Sequence, residues 1–331
     1  MHVVVIGAGS IGKRHLANLD KLEVENLSVV DPQFERRREA KDAVKRANTT
    51  AILAMAIKGR KADAVIIAVP THLHVPVAME AAQLGVPLFI EKPVGHLKDD
   101  VLHLETLLRN MNNWAVVGYS LRFHQALGII RGMLEQHTIG KILSVRAEVG
   151  QYLPDWHPAE DYRKWYMAKE AQGGGAILDL SHEIDYLRWL FGDIASVSGF
   201  VGRVSDLDID TDDLAELVCR FKSGVIGSIH MDLIQRAYHR GCRIVGSEGT
   251  ITWDYNEAAV KCYTAKDKQW RSQNYTNDRN VQFMDEMRAF LSKVRGETIS
   301  GVERLCSFAE ARATLDVVLE AKGRCGASHA K

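Results

Sequence analysis

Apolar positions in the first third of the chain fall in short unbroken runs. Residues 3–6, 27–30, 64–69, 87–90 and 114–117 each read as a buried strand. Between them the apolar spacing relaxes to that of helices. It predicts helices at 13–20, with Leu16 and Leu19 on the apolar side, at 34–47 as a charged segment, at 75–84, and at about 98–109. Strands that are apolar throughout and alternate with helices predict a parallel sheet covered on both faces. Ligands of such sheets gather at the carboxyl ends of the strands. Three of those ends carry distinctive residues: Gly7 to Gly12, Pro70 to His74, and Glu91 to Pro93.

From about residue 141 apolar and polar positions alternate. This predicts strands at 142–149, 194–201, 214–221, 225–231, 243–245, 250–253 and 260–263. Lys222-Ser223-Gly224 and Gly246-Ser247-Glu248-Gly249 separate some of them as turns. The pattern is that of an antiparallel sheet. Helical spacing returns at 281–294 and 302–321, in segments expected to pack back near the junction. The fold class is therefore α/β plus α+β. A parallel-sheet domain is expected at 1–120 and a domain on a large, mostly antiparallel sheet at 121–280. C-terminal helices follow at 281–331. There is no internal repeat, low-complexity stretch or long linker.

The first strand runs straight into Gly7-Ala8-Gly9-Ser10-Ile11-Gly12 and then into a helix. In that setting the first glycine makes a tight turn and the second lets backbone approach a pyrophosphate. The third lets helix and strand pack closely, and the helix N-terminus faces the phosphates. The second strand ends at Asp31, where an acid binds ribose hydroxyls. A carboxylate there favours NAD, because it repels a 2′-phosphate. Arg36, Arg37 and Arg38 keep NADP open.

Among 331 residues, 42 Lys and Arg balance 42 Asp and Glu, so the formal net charge is zero. That balance gives no support for a nucleic-acid or membrane-surface role. No apolar run is long enough to cross a bilayer, and the opening residues lack the order of a secretion signal. Cys219, Cys242, Cys262, Cys306 and Cys325 are odd in number and lack metal-ligand spacing. A cytoplasmic protein with reduced thiols is expected. His72 and His74 alone make no metal site.

Glu91-Lys92-Pro93 at a strand end, about eighty residues after the glycine turn, resembles the Gfo/Idh/MocA family of sugar and cyclitol oxidoreductases. Pro70-Thr71-His72-Leu73-His74 is similar to its strand-four loop, and Gly118 to His124 to its interdomain crossover. Gly173-Gly174-Gly175, leading to Asp179 and His182, resembles its catalytic helix. The step from Asp179 to His182 is three residues where the family commonly has four. The Ser181-His182-Glu183-Ile184-Asp185 version, with Tyr152 to His157 and Asp161-Tyr162-Arg163, resembles a branch linked to bacterial surface-sugar or sialic-acid-like metabolism.

The resemblance implies a homodimer or homotetramer built through the outer face of the second-domain sheet. It implies hydride transfer between a nicotinamide cofactor and a secondary alcohol or ketone. The substrate class is a sugar, sugar acid, nucleotide sugar or cyclitol. It places Gly7, Gly9, Ser10, Ile11, Gly12, Asp31, Pro70, Thr71, His74, Glu91 and Lys92 at the cofactor. A redox-neutral glycosidase or lyase on the same scaffold, and a nucleotide-sensing protein without catalysis, are the alternatives.

Such chemistry needs a base for the hydroxyl proton and a group to hold developing alkoxide charge. Lys92, at a strand end, supplies the ammonium. In the segment after the three glycines, 100° steps put Ile177, Leu180, Ile184, Leu187 and Phe191 in one stripe. Asp179, His182 and Tyr186 fall together on the other side and are expected along the substrate cleft. His182 is the preferred base, with its ordinary pKa near 6.5. Asp179 orients it or meets a sugar hydroxyl, and Asp185 reads as structural. Residues 152–166 hold Tyr152, Trp156, Tyr162, Trp165 and Tyr166, a candidate lid whose rings suit sugars and equally suit ordinary packing. Tyr152, Trp156, Arg163, Arg122 and His124 complete the candidate substrate contacts. Arg163 and Lys164 suit a carboxylate or phosphate, and Arg236, Tyr238 and His239 are weaker candidates.

Overall fold

The computed structural model describes residues 1–325 except 157, 159 and 277. His157 of the aromatic segment, and 326–331 of the C-terminal segment, lie outside the described residues. The chain forms two compact units. One is Met1–Phe123 with Asn280–Arg312, the other His124–Arg279 with the chain from Ala313 onward.

The N-terminal stretch gives β1 (His2–Ile6), α1 (Ser10–Lys21), β2 (Asn26–Val30), α2 (Phe34–Ala43), β3 (Asn48–Thr50), α3 (Leu53–Ala56), β4 (Ala64–Ile67), α4 (His74–Ala82), β5 (Leu88–Glu91), α5 (Lys98–Asn110) and β6 (Ala115–Gly118). Next come α6 (Gln125–Glu135), β7 (Ile142–Gly150), α7 (Ala176–Asp179) and α8 (His182–Phe191). Strands β8 (Ile194–Gly202), β9 (Leu214–Phe221), β10 (Ile226–Asp232), β11 (His239–Gly246), β12 (Gly249–Asp254), β13 (Ala259–Thr264) and β14 (Trp270–Asn274) follow. The chain closes with α9 (Arg279–Val294), β15 (Cys306–Ser307) and α10 (Phe308–Cys325).

The first sheet runs β15-β6-β5-β4-β1-β2-β3. Its neighbours are parallel except β15, which pairs antiparallel with β6. The apolar runs make this sheet because both faces are covered. Val3, Val5, Val29, Ile66 and Phe89 lie buried with Leu16 and Leu19 of α1 and Phe290 of α9 in one core. The Phe290 ring meets Phe89 edge-on at 5.5 Å. The second sheet runs β14-β13-β12-β11-β7-β10-β9-β8. It is antiparallel except where β10 pairs parallel with β7. Alternation along β9 buries Ala215, Leu217, Cys219 and Phe221 and turns the residues between them outward.

Several expected boundaries change for local reasons. Helix α1 opens at Ser10, because the Gly9 carbonyl accepts the Lys13 amide directly, at 3.0 Å. Helix α2 stops at Ala43: Val44 turns extended, and Val44 and Ala47 bury their side chains as the chain returns to the sheet. The expected strand at 243–245 is the middle of the longer β11. Strands β3 and β14 escaped notice because one is short and polar and the other is exposed along its length. The helix expected from 302 starts at Phe308, after a 3-10 turn at Val302–Arg304 and β15. The C-terminal segment is not one body: Asn280–Arg312 belongs with the first unit and the chain from Ala313 with the second. All five cysteines are free thiols.

Candidate active site

The glycine turn carries its own fit test for a dinucleotide. Gly7 has φ +97°, and a Cβ there would overlap the Ala68 carbonyl oxygen. A Cβ at Gly12 would overlap the Gly7 carbonyl oxygen. Both positions exclude a side chain through the protein's own packing. Gly9 is different: it has ordinary extended φ, and a Cβ there would meet nothing within 4 Å. That leaves the backbone at Gly9 open, as the approach of a pyrophosphate would require. Ser10 and Ile11 open α1, whose first amides have no acceptor within the helix, and no side chain caps it. Asp31 is buried at the end of β2 and accepts from the Ala8 amide at 2.9 Å and the Gln33 amide at 2.8 Å. Arg36 stands 4.0 Å from that carboxylate. Arg37 donates to the carbonyls of Asp31 and Pro32 at 2.7 and 2.9 Å. These residues fit a nicotinamide dinucleotide, which when bound supplies the hydride acceptor or donor.

On the neighbouring strands, Pro70 and Thr71 open a 3-10 turn after β4, and Glu91 ends β5. The Lys92-Pro93 peptide is cis. The Lys92 amide donates to the Glu91 carboxylate at 3.3 Å, and Lys92 itself is partly exposed. His74 takes a different role from the expected cofactor contact. It is buried, with Nδ1 2.7 Å from the Pro93 carbonyl oxygen and Nε2 2.8 Å from that of Val69. Both ring nitrogens are committed to backbone. Arg122, expected as a substrate contact, is buried and paired with Glu310 at 2.8 Å.

In the second unit Gly174 and Gly175 solve a packing problem. A Cβ at Gly174 would stand 2.5 Å from the Tyr166 and Met167 carbonyl oxygens. One at Gly175, where φ is +109°, would stand 2.5 Å from side-chain oxygens of Thr211 and Asp212. Asp212 accepts from the Ile177 amide at 2.9 Å and pairs with Lys322 at 3.1 Å, which fixes the start of α7. The expected continuous helix is broken at Leu180 and Ser181 into α7 and α8. Asp179 is buried and accepts from the Tyr166 hydroxyl at 2.8 Å. His182 opens α8 and is partly exposed. Tyr186 corrects the expectation of a cleft residue. It is wholly buried, its ring lies 6.2 Å from that of Trp253, and its hydroxyl has no partner among the described residues. Burial pushes the Tyr186 phenol well above its usual pKa. Asp185 is buried near Thr314, as a structural acid.

The aromatic segment is a run of 3-10 turns. The Tyr152 ring carries the Arg236 guanidinium 3.6 Å from its centroid. The Trp156 indole nitrogen is buried without an acceptor among the described residues. Trp165 donates to Glu160, and the Tyr162 hydroxyl accepts from the Asp208 amide. Arg163 grips Asp161 at 2.8 and 3.0 Å and lies 3.8 Å from Asp208, so its guanidinium already serves local carboxylates. His124 caps α6, its Nδ1 accepting from the Ala126 amide. Its ring is surrounded by Trp253, Tyr255 and Tyr275 at 5.1 to 5.5 Å.

Two second-unit histidines make stability depend on pH in opposite senses. Burial, with the nearby Arg240 charge, brings His124 down to about 4. Folding favours its neutral form, so that contribution is complete above the unfolded pKa near 6.5 and is lost as pH falls towards 4. The loss is about 3 kcal/mol. The hydrogen bond to Asp232, with a second to Glu216, lifts His230 to about 9. Its contribution is complete below pH 6.5 and fades as pH rises through 9. Solvent screening holds that term to about 1 kcal/mol. Urea midpoints taken from pH 7 to 4.5 are expected to fall more steeply for the native chain than for His124→Gln. Equal slopes contradict the assignment.

Residues that the sequence reading passed over include His15, Asp212 and Lys322. His15 shares a helix face with Gly12 and Leu19, and that spacing was its visible signal. Asp212 and Lys322 meet α7 only through the fold.

A parallel sheet with an uncapped glycine turn, followed by a unit built on a large mixed sheet, defines a dinucleotide-dependent oxidoreductase architecture. The chain belongs to the GFO/IDH/MocA family. Residues 1–119 match that family's NAD-binding Rossmann-fold oxidoreductase domain, and residues 129–252 match its C-terminal domain. A levoglucosan dehydrogenase from Pseudarthrobacter phenanthrenivorans is 26% identical over 292 residues, 77% of this chain and 74% of that protein. A 2,7-anhydro-N-acetylneuraminate hydratase from Escherichia coli is 23% identical over 207 residues, 61% of this chain and 54% of the relative. The fold matches that of levoglucosan dehydrogenase in complex with NADH, with a TM-score of 0.85 at 21% identity over 98% of each chain. Among the described residues no helix is long and apolar enough to cross a membrane, and no group of three or more His, Cys, Asp or Glu could hold a metal ion.

Proposed function

We propose that this chain moves a hydride between a bound nicotinamide and a secondary alcohol or ketone of a sugar-type small molecule, with Lys92, His182 and Asp179 as the acting side chains. The reading is supported above all by one sheet edge. Lys92 leaves β5 beside the Pro70 and Thr71 loop of β4, and β4 lies beside β1 with its glycine turn. A bound nicotinamide would supply the hydride acceptor or donor, and in the oxidative direction the His182 imidazole takes the hydroxyl proton. The Lys92 ammonium holds the oxygen as charge develops. The Tyr166 hydroxyl keeps Asp179 oriented. Trp156 offers an indole N–H to a sugar hydroxyl.

The test is a screen of anhydrosugars, sugar acids, nucleotide sugars and cyclitols with each cofactor, read as NADH formation. Turnover on none of these classes would end the reading. NAD is expected to outperform NADP by about 10-fold or more, since Asp31 repels a 2′-phosphate. Arg37 is spent on the carbonyls of its own turn, which supports the same preference, while Arg36 beside the carboxylate works against it. A reversed preference refutes the role of Asp31. The likeness to a hydratase favours a second reading, a redox-neutral cycle in which the same nicotinamide is reduced and reoxidised. Product formation without net NADH selects it. A sialic-acid-like or surface-sugar substrate finds its support in the same relative. Retention of both Lys92 and His182 argues against a purely sensing protein.

We propose further that two copies pair through the outward face of the second sheet. Arg146, opposite Arg243, forms part of a basic row that continues across β12 to Lys261. Glu216, His230 and Glu148 lie in the next row. A two-fold axis can lay each row on its opposite, and exposed Val218, Ile226 and Trp270 add apolar area. Light scattering is expected to give a dimer or tetramer, and the Arg146→Glu/Arg243→Glu double variant a smaller species. A native monomer would refute the pairing.

A further inference from the structure

Glu91 is buried, and its Oε1 lies 2.6 Å from Nε2 of His15, while the other carboxylate oxygen accepts the Lys92 amide. His15 is wholly buried on α1, three residues beyond Gly12. Its ring meets Phe89 edge-on at 5.2 Å and Phe283 at 6.4 Å, and Nδ1 has no partner among the described residues. A buried carboxylate left without a donor is costly, so the imidazole N–H that meets Glu91 also fixes where β5 ends. On the other side of Lys92, His74 stands between the carbonyls of Pro93 and Val69. Burial pulls His74 below its ordinary pKa, while the two carbonyls, which can only accept, pull the other way by favouring N–H on both ring nitrogens.

Lys92 therefore lies between two histidine anchors. One reaches the helix that opens at the glycine turn, the other the loop that carries Pro70 and Thr71. We propose that His15, through Glu91, and His74, through the Pro93 carbonyl, are positioning residues that tie the Lys92 backbone to the two dinucleotide loops. The loops that would hold the cofactor would then also hold Lys92 in place. The inference rests on the reading of Lys92 as an acting group. Its physical warrant is geometric: both imidazoles are short, rigid and buried, and both bridge segments that no strand pairing joins directly at Lys92. His74 has both ring nitrogens on backbone carbonyls, and His15 has Nε2 on Glu91.

The experiment compares His15→Leu, His15→Gln and His74→Leu with Lys92→Ala, using a substrate found by the screen. His15→Gln keeps an amide N–H near the Nε2 position. His15→Leu and His74→Leu are expected to lower kcat by about 30- to 100-fold. NADH affinity, read by fluorescence titration, should stay within about threefold, and KM should move less than kcat. His15→Gln is expected to recover most of the loss. Wild-type kcat in folded, NADH-binding His15→Leu and His74→Leu overturns the proposal, provided that Lys92→Ala is inactive. Loss of kcat in strict proportion to NADH affinity overturns it as well, because the histidines then serve the cofactor and not Lys92. Full activity of Lys92→Ala is the separate failure of the underlying reading. If His15→Leu does not fold, Glu91→Gln takes its place, keeping the side-chain size but weakening the hold of His15. A kcat loss at constant NADH affinity supports the proposal, and unchanged kcat overturns it.

Discussion

Lys92→Ala and His182→Ala are each expected to lower kcat by about 10²- to 10⁴-fold, with NADH affinity nearly unchanged. The two residues come from different units of the chain, and their action on one oxygen is the proposal that most needs an independent check. Combining them supplies it. Groups that act together in one transition state give grossly non-additive losses. If the ammonium and the imidazole share a reacting alcohol, the double variant should lose little beyond the worse single variant. Two unconnected contributions would multiply instead, to about 10⁴-fold or more. A product of the single losses therefore rejects convergence even if each single variant is slow. Asp179→Asn should cost less than either, because Tyr166 still holds the side chain from its other side.

What could be read from the chain follows from how local each feature is. Residues 7–12 were legible because the tight turn, the cofactor approach and the helix start are properties of six consecutive residues. Lys92 was legible for the same reason, as the residue that follows a strand. Arg122 was not: its partner Glu310 stands 188 residues further on, and no local pattern names it. Tyr186 failed in another way. The 100° steps put Asp179, His182 and Tyr186 on one side of a single continuous helix. Periodicity says which residues share a face and not what covers that face. The Trp253 ring reaches Tyr186 there, so the tyrosine is core. The break at Leu180 and Ser181 further separates Asp179 from His182, so their three-residue spacing is not an ordinary helical step. His74 shows the third limit. Its position beside the cofactor loops was evident, but the direction of its ring was set by Pro93, nineteen residues away.

The second large effect is a contrast within one turn. Gly12→Ala is expected to lower the melting temperature by about 5 °C or more, since its Cβ overlaps backbone that cannot give way. Gly9→Ala should leave the melting temperature within about 2 °C, because its φ of −67° suits any residue and the added methyl meets no protein atom. Yet Gly9→Ala is expected to weaken NADH binding by about 30-fold or more, since the methyl occupies the approach that a pyrophosphate needs. The two glycines thus separate folding from ligand binding at positions three residues apart. A protein that merely needs a tight glycine turn would show the opposite order, tolerating Gly9→Ala in every assay. Titration of NADH fluorescence against folded Gly9→Ala decides between them, because no substrate, acid or base enters that measurement.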